Sequence, residues 1–215
     1  MFTIINNPNY FFEKLTRDRY WFKFFVWITS IQIALVIAQT ILTETAFVNL
    51  SLSELSLNIL VIVILVSLRN ILTWALTTII LMELLIFFYR LNIGFSSMMS
   101  IVVVSNIVNI IALLISVSIG SLFWLKFHNS SINSFQIASI ASLINTDSDL
   151  LQYMLTKINA FTIWYIILIS IGIKTVVPLN TIKCFYLSAI AILFELFIKT
   201  LFLQGIVSLP YFFMQ

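Results

Sequence analysis

The chain has 215 residues, of which 61% are hydrophobic and only 9% are charged. A soluble domain usually carries about 25% charged residues, so this composition excludes an ordinary water-soluble domain and indicates that much apolar surface faces lipid. The formal net charge is +3, and no basic cluster exceeds three residues, which argues against nucleic-acid binding. Long apolar runs with few Gly and Pro residues predict mostly unbroken membrane-spanning helices, not a barrel of short strands.

The chain begins with a mixture of aromatic and charged residues. Residues 1–21 are predicted to form a cytoplasmic, interfacial segment, because such a mixture is typical of a helix in the headgroup region. Pro8 is suited to the first turn of that helix. The first span is predicted over residues 22–42, where Gln32 and Gln39 share one helical face. That face is expected to contact protein.

The next apolar run, from Leu57 to Tyr89, is longer than one membrane crossing requires. As a single helix it would extend roughly 50 Å, against about 30 Å of hydrocarbon. Either one helix projects from the membrane, or residues 53–68 form a separate amphipathic helix before a span at 70–90. The second interpretation is favoured, because Arg69 would be costly in mid-membrane and costs little at an interface.

The third span carries Asn106 and Asn109 on one helical face, a placement that suits contact between helices. A polar loop follows, and a short helix is predicted near Asp149 before the fourth span. The sequence therefore predicts an all-α polytopic membrane helix bundle over residues 22–215, with short interfacial amphipathic helices. Its five spans are predicted at about 22–42, 70–90, 98–127, 158–177 and 182–203.

Lys and Arg residues alternate between the two sides of these spans. With the N-terminus in the cytoplasm, about three bases lie outside, and five spans place the C-terminus outside. This asymmetry satisfies the positive-inside rule. The bases predicted on the cytoplasmic side are Lys14, Arg17, Arg19, Lys23, Arg90, Lys174 and Lys183.

Two carboxylates, Glu83 and Glu195, lie inside apolar runs, where a bare charge costs several kcal/mol. Lys199 follows Glu195 by four residues, in the favourable order for a pair on one helical face. An internal ion pair, with Lys199 reaching toward the outer interface, is the favoured interpretation. A proton or cation site shared with Glu83, or a polar contact to a partner subunit, are the alternatives.

Residues able to do chemistry are scarce. His128 is the single histidine and Cys184 the single cysteine, so no metal site and no disulfide is expected. The sequence has no zincin helix, nucleophile elbow, Walker loop or Gly-rich dinucleotide turn. We therefore expect a non-enzymatic protein with no catalytic residues and no cofactor.

The fourth span begins with the sequence INAFTIW, followed by YIILISIGI. This stretch is similar to a signature of the Yip domain family, small five-span proteins named for their interaction with Ypt/Rab GTPases. The chain's start, NPNYFFEKLTRDRYWFKFF, also resembles the family's start. Asn159 stands where the family often has Asp, and the third span lacks the Pro of many relatives. The matching positions are Pro8, Phe12, Trp21, Phe161, Trp164 and Gly172.

The resemblance implies a membrane adaptor. Some bacterial members accompany ABC-type exporters that protect against antimicrobial peptides. It thus implies an accessory subunit in a bacterial cell membrane, with lipid and other subunits, such as an ABC permease and ATPase, as partners. The residues themselves leave open a different class of protein, a stand-alone transporter or channel. That protein would use an intramembrane site built from Glu83, Glu195, Lys199, Asn106 and Asn109.

Overall fold

The computed structural model describes residues 7–18, 21–43, 52–126 and 149–212. Every regular element in these ranges is an α-helix, and four of the helices are long and apolar enough to cross a membrane. The all-α membrane helix bundle is therefore confirmed. The helices are α1 (Pro8–Asp18), α2 (Trp21–Thr43), α3 (Leu52–Tyr89), α4 (Phe95–Ser105), α5 (Ile107–Lys126), α6 (Asp149–Lys157), α7 (Ala160–Val176) and α8 (Thr181–Phe212).

The first helix, α1, is amphipathic and begins at a proline. The Asn7 Oδ1 atom accepts a hydrogen bond from the Tyr10 N–H at 3.3 Å, and Pro8 occupies the first helical position, where no N–H is needed. Phe12 and Leu15 are buried, because α1 packs against α4 and α7. The predicted interfacial segment thus contributes side chains to the core of the bundle.

The second membrane-crossing helix, α3, differs from the favoured prediction. The structure has one continuous helix of 38 residues from Leu52 to Tyr89, and not a separate helix over residues 53–68. This segment contains no Gly or Pro to interrupt the backbone hydrogen bonds. Arg69 lies on an exposed face of α3, so its charge does not require a break in the helix.

The third crossing is interrupted where an unbroken helix was predicted. Asn106 separates α4 from α5 with φ −63° and ψ −7°. Its N–H lies 3.3 Å from the Val102 carbonyl oxygen and 3.2 Å from that of Val103, and the Asn109 N–H donates to the Asn106 carbonyl at 2.9 Å. The backbone therefore tightens locally to i→i−3 bonds within a single pass through the bundle.

The helix α4 forms the centre of the bundle and contacts α1, α2, α3 and α7. Of the residues from Phe95 to Ile115, 67% are buried, whereas in the other long apolar helices 33% or less are buried. The helix α7 is shorter but also apolar. The described residues therefore contain four helices long enough to cross a membrane, and the predicted count of five spans stays a prediction.

One end of the bundle collects basic residues. The Lys183 ammonium lies 5.7 Å from the centre of the Tyr89 ring, which places the start of α8 beside the end of α3. At that end Phe11 of α1 packs against Phe24, in the first turns of α2. Arg90, Lys174 and Lys183, three of the bases predicted to face the cytoplasm, therefore lie near this end, whereas the orientation of that end in the membrane stays a prediction.

Candidate functional site

A carboxylate is buried between the second and last crossings. Glu195 on α8 is only 5% exposed. One carboxylate oxygen pairs with the Lys199 ammonium, one turn further along α8, and the other contacts the Thr77 hydroxyl on α3. This ion pair was the interpretation favoured for the sequence. The Lys199 side chain is 36% exposed, so it connects the buried carboxylate with the surface.

A second set of polar groups lies where α4 meets α5. The Asn109 Nδ2 donates to Asn106 Oδ1 at 2.7 Å. The Asn106 Nδ2 lies 3.1 Å from the Tyr165 hydroxyl on α7 and 3.2 Å from the Val102 carbonyl oxygen. Tyr165 is close enough to Glu195 to interact with it electrostatically. These two sets, Asn106, Asn109 and Tyr165 on one side and Thr77, Glu195 and Lys199 on the other, are together called the polar network, and their side chains come from α3, α5, α7, α8 and the α4–α5 junction.

Glu83, predicted as a possible member of this site, is not brought to it. Glu83 is exposed, whereas Thr77 on the same helix is fully buried. Six residues of α-helix turn by about 240°, so the two side chains point in very different directions. Of the five polar residues predicted for the site, Glu83 alone faces away from the bundle.

Another buried polar contact joins α2 to α3. The Asn70 Nδ2 donates to Gln32 Oε1 at 2.5 Å and lies 3.5 Å from the Thr29 hydroxyl. All three residues are buried, so Gln32 faces protein as its position predicted. The side chain of Gln39 lies outside the described residues.

The positions that carry the family resemblance have packing roles. Gly172 is buried, and a Cβ atom there would lie 2.4 Å from Ile101 Cγ2 and 3.2 Å from Phe12 Cδ1. This glycine therefore allows α7, α4 and α1 to approach closely. Phe161, Trp164 and Trp21 are partly buried against the core, and Pro8 starts α1.

Asn159 caps the start of α7. Asn159 Oδ1 accepts a hydrogen bond from the Thr162 N–H at 3.0 Å, and the Thr162 hydroxyl donates to the Lys157 carbonyl at 2.6 Å. Asn and Asp cap helix N-termini about equally well. An Asp at this position would therefore cap α7 about as well as Asn159 does.

Sequence reasoning missed Thr77, Tyr165 and Asn70. A signal was present for two of them: Asn70 and Thr77 are seven residues apart and form a polar stripe on an otherwise apolar helix. Tyr165 follows Trp164 in an aromatic cluster near a helix end, a pattern equally typical of an interfacial belt. Its burial depends on contacts with helices distant in sequence.

The described residues contain no group of three or more His, Cys, Asp or Glu side chains suited to a metal ion. His128 lies outside those residues, and Cys184 is buried. The comparisons with protein-family models, curated proteins and solved structures found no match to this chain. The chemistry of the polar network is therefore inferred from its own side chains, which offer one carboxylate, one ammonium, hydroxyls and amides.

Proposed function

We propose that the protein is a non-enzymatic accessory subunit of a larger membrane complex. The observation that carries the proposal is the outward-facing surface of α3, which is too long for the bilayer and apolar beyond it. A helix of this kind needs protein to cover it.

The apolar stretch of α3 runs from Ile59 to Tyr89, 31 residues. It is about 46 Å long, and even a tilt of about 40°, the upper end of the observed range, would leave it crossing about 36 Å of depth. The hydrocarbon core is only about 30 Å thick. Part of this apolar helix therefore extends beyond the hydrocarbon.

The N-terminal half of α3 is the part that extends. Tyr89 is held at the basic end of the bundle beside Lys183, and from Tyr89 back to Arg69 the helix rises about 30 Å. The segment before Arg69 carries large apolar side chains that are each between 45% and 59% exposed. They are Leu60, Val61, Ile64, Leu65 and Leu68. A contiguous apolar surface outside the hydrocarbon marks an interaction site.

Glu83 gives a second reason for a partner. It is exposed on α3 and lies about 9 Å along the helix from Tyr89, a depth at which a lipid-facing carboxylate is unfavourable. A polar group of another subunit would compensate that charge. Both ends of the same helix therefore favour a protein neighbour.

The class of partner comes from the resemblance to the Yip domain family. Some bacterial members of that family accompany exporters, and this chain has no nucleotide-binding motif of its own. We therefore propose a permease and an ATPase of an ABC-type exporter for antimicrobial or toxic peptides as the partners. The proposed site of the protein is the bacterial cell membrane.

Site-specific photo-crosslinking in native membranes tests this function. A photoreactive amino acid at Leu65, 59% exposed, is compared with one at Ile190, 47% exposed on α8. We expect Leu65 to yield a discrete protein adduct, identified by mass spectrometry, and Ile190 to label lipid. Lipid adducts at both positions, together with a monodisperse monomer in native nanodiscs, would contradict the proposal.

The polar network also favours a second candidate, a stand-alone transporter. Glu195, Asn106 and Tyr165 are buried near a local interruption of a helix, as in transporter binding sites. The Lys199 ammonium already neutralises Glu195, however, and Glu83 faces away, so this function ranks second. Ion flux in proteoliposomes that Glu195→Gln abolishes and Glu83→Gln preserves would favour transport.

A further inference from the structure

The Thr77 hydroxyl has two hydrogen-bond neighbours that compete for its one proton. Its oxygen lies 2.9 Å from the Thr73 carbonyl oxygen, one turn earlier on α3, and it also contacts a carboxylate oxygen of Glu195. A hydroxyl donates only one hydrogen, and a carbonyl can only accept. Both contacts can be hydrogen bonds at the same time only if Glu195 carries a proton and donates it to Thr77.

The contacts therefore accommodate two proton arrangements. In the first, Glu195 is ionised, accepts from Thr77 and pairs with Lys199. In the second, Glu195 is protonated and donates to Thr77, which donates to the Thr73 carbonyl. Lys199 then loses its counter-charge, and its partly exposed side chain can extend to the surface.

Three other buried hydroxyls of the bundle have no carboxylate partner that could donate a proton to them. Thr78, Ser188 and Thr200 each donate to the carbonyl one turn earlier, at 2.7, 2.8 and 2.7 Å. None of them has a carboxylate as a recorded partner. Thr77 differs from these three hydroxyls because α8 places a carboxylate, that of Glu195, against it.

Few charged groups surround the contact between Thr77 and Glu195. Tyr165 of α7 interacts with Glu195, and its oxygen already accepts from Asn106, which leaves the Tyr165 hydrogen free to turn toward the carboxylate. From α3, Arg69 and Glu83 are exposed, and from α6, Lys157 is exposed. Lys174 and Lys183 lie near the opposite end of the α7–α8 hairpin, beside Cys184 and Tyr89.

We propose that Glu195 is a proton-binding site inside the bundle and that its protonation exchanges one polar contact between α3 and α8 for the other. A proton from solution forms an O–H bond with the carboxylate, and the Glu195–Lys199 pair changes from neutral to a charge of +1. Lys199 provides the exposed edge through which the proton enters. This inference does not depend on the proposed partner complex.

Infrared difference spectroscopy of the full chain in lipid nanodiscs, titrated from alkaline to acidic pH, tests the site. We expect a carbonyl stretching band of a protonated carboxylic acid to appear on acidification. Glu195→Gln should remove that band, and Glu83→Gln, at the exposed carboxylate of the same bundle, should retain it. Circular dichroism of each variant checks that the helices are intact.

Two further variants keep the test decisive if Glu195→Gln does not fold. Lys199→Gln should strengthen the band, because the cation that favours the carboxylate is gone. Thr77→Val should shift the band frequency, and Thr77→Ser should restore it. A band that survives Glu195→Gln, a Glu195 that stays ionised at every pH measured, or a band that Lys199→Gln leaves unchanged would each overturn the proposal.

Discussion

Replacing Gly172 by alanine is expected to loosen the packing of α7 against α4 and α1. The new methyl carbon would lie 2.4 Å from Ile101 Cγ2, 3.1 Å from Ile101 Cγ1 and 3.2 Å from Phe12 Cδ1. Carbon atoms in van der Waals contact are about 3.5–4.0 Å apart. Either α7 moves away from α4 by about 1 Å, or Ile101 leaves its preferred rotamer, and β-branched side chains resist that change.

The change in the free energy of unfolding is the difference between a packing cost and a gain in helix stability. Overpacking a well-packed core costs about 1–3 kcal/mol. Alanine recovers about 0.5–1 kcal/mol relative to glycine in the middle of a helix. We therefore expect Gly172→Ala to lower the free energy of unfolding by about 1 kcal/mol, within a range of about 0–2.5 kcal/mol.

Denaturation in mixed micelles measures this free energy. Gly94→Ser is the control, because a Cβ at Gly94 meets nothing within 4 Å and serine is favoured at the N-cap position that Gly94 occupies. Ile101→Ala should remove the clash, so the double variant should be more stable than the two separate losses imply, by about 0.5 kcal/mol or more. A Gly172→Ala protein as stable as Gly94→Ser, with additive behaviour in the double variant, would refute the packing role.

Three further substitutions are measured in the same way. Asn159→Ala should cost about 1 kcal/mol because α7 loses its N-cap, whereas Asn159→Asp should cost little; equal losses would exclude a capping role. Asn70→Leu should cost about 0.6–2 kcal/mol. If its hydrogen bond with Gln32 is responsible, the cost should be smaller in a protein that already carries Gln32→Leu. An unchanged cost would show that this hydrogen bond is not responsible. Phe12→Ala should cost about 3–5 kcal/mol because its ring is fully buried. Tyr10→Ala, at an exposed position of the same helix, should stay within about 0.5 kcal/mol of wild type, and similar values for these two would refute the docking of α1.

Local sequence was enough to predict where most crossings begin and end. The first was predicted at 22–42 and is observed at Trp21–Thr43, and the fourth was predicted at 158–177 and is observed at Ala160–Val176. These boundaries follow from apolar run length and from capping residues such as Asn159, which are local properties. The long helix α3 was harder to predict, because hydrophobicity does not show where a continuous helix leaves the bilayer.

The polar network depends on information that no local pattern contains. Spacing predicted the pair of Glu195 and Lys199, which are one turn apart, and the shared face of Asn106 and Asn109. Thr77, by contrast, meets a carboxylate 118 residues further along the chain. Glu83 looked equivalent to Glu195 in sequence. It is exposed because the rotation of α3 about its own axis turns Glu83 away from the bundle, and this rotation is not visible in the sequence.

The central position of α4 has a consequence for how the protein is made. Asn106 enters the membrane early, but its partner Tyr165 belongs to α7, which is synthesised later. Thr77 likewise precedes Glu195 of the last crossing. Until α7 and α8 are inserted, the nascent bundle displays amides and a hydroxyl without those partners, at a depth where polar groups are costly. The last hairpin therefore supplies the interhelical partners of Asn106 and Thr77, which until then have only partners on their own crossing.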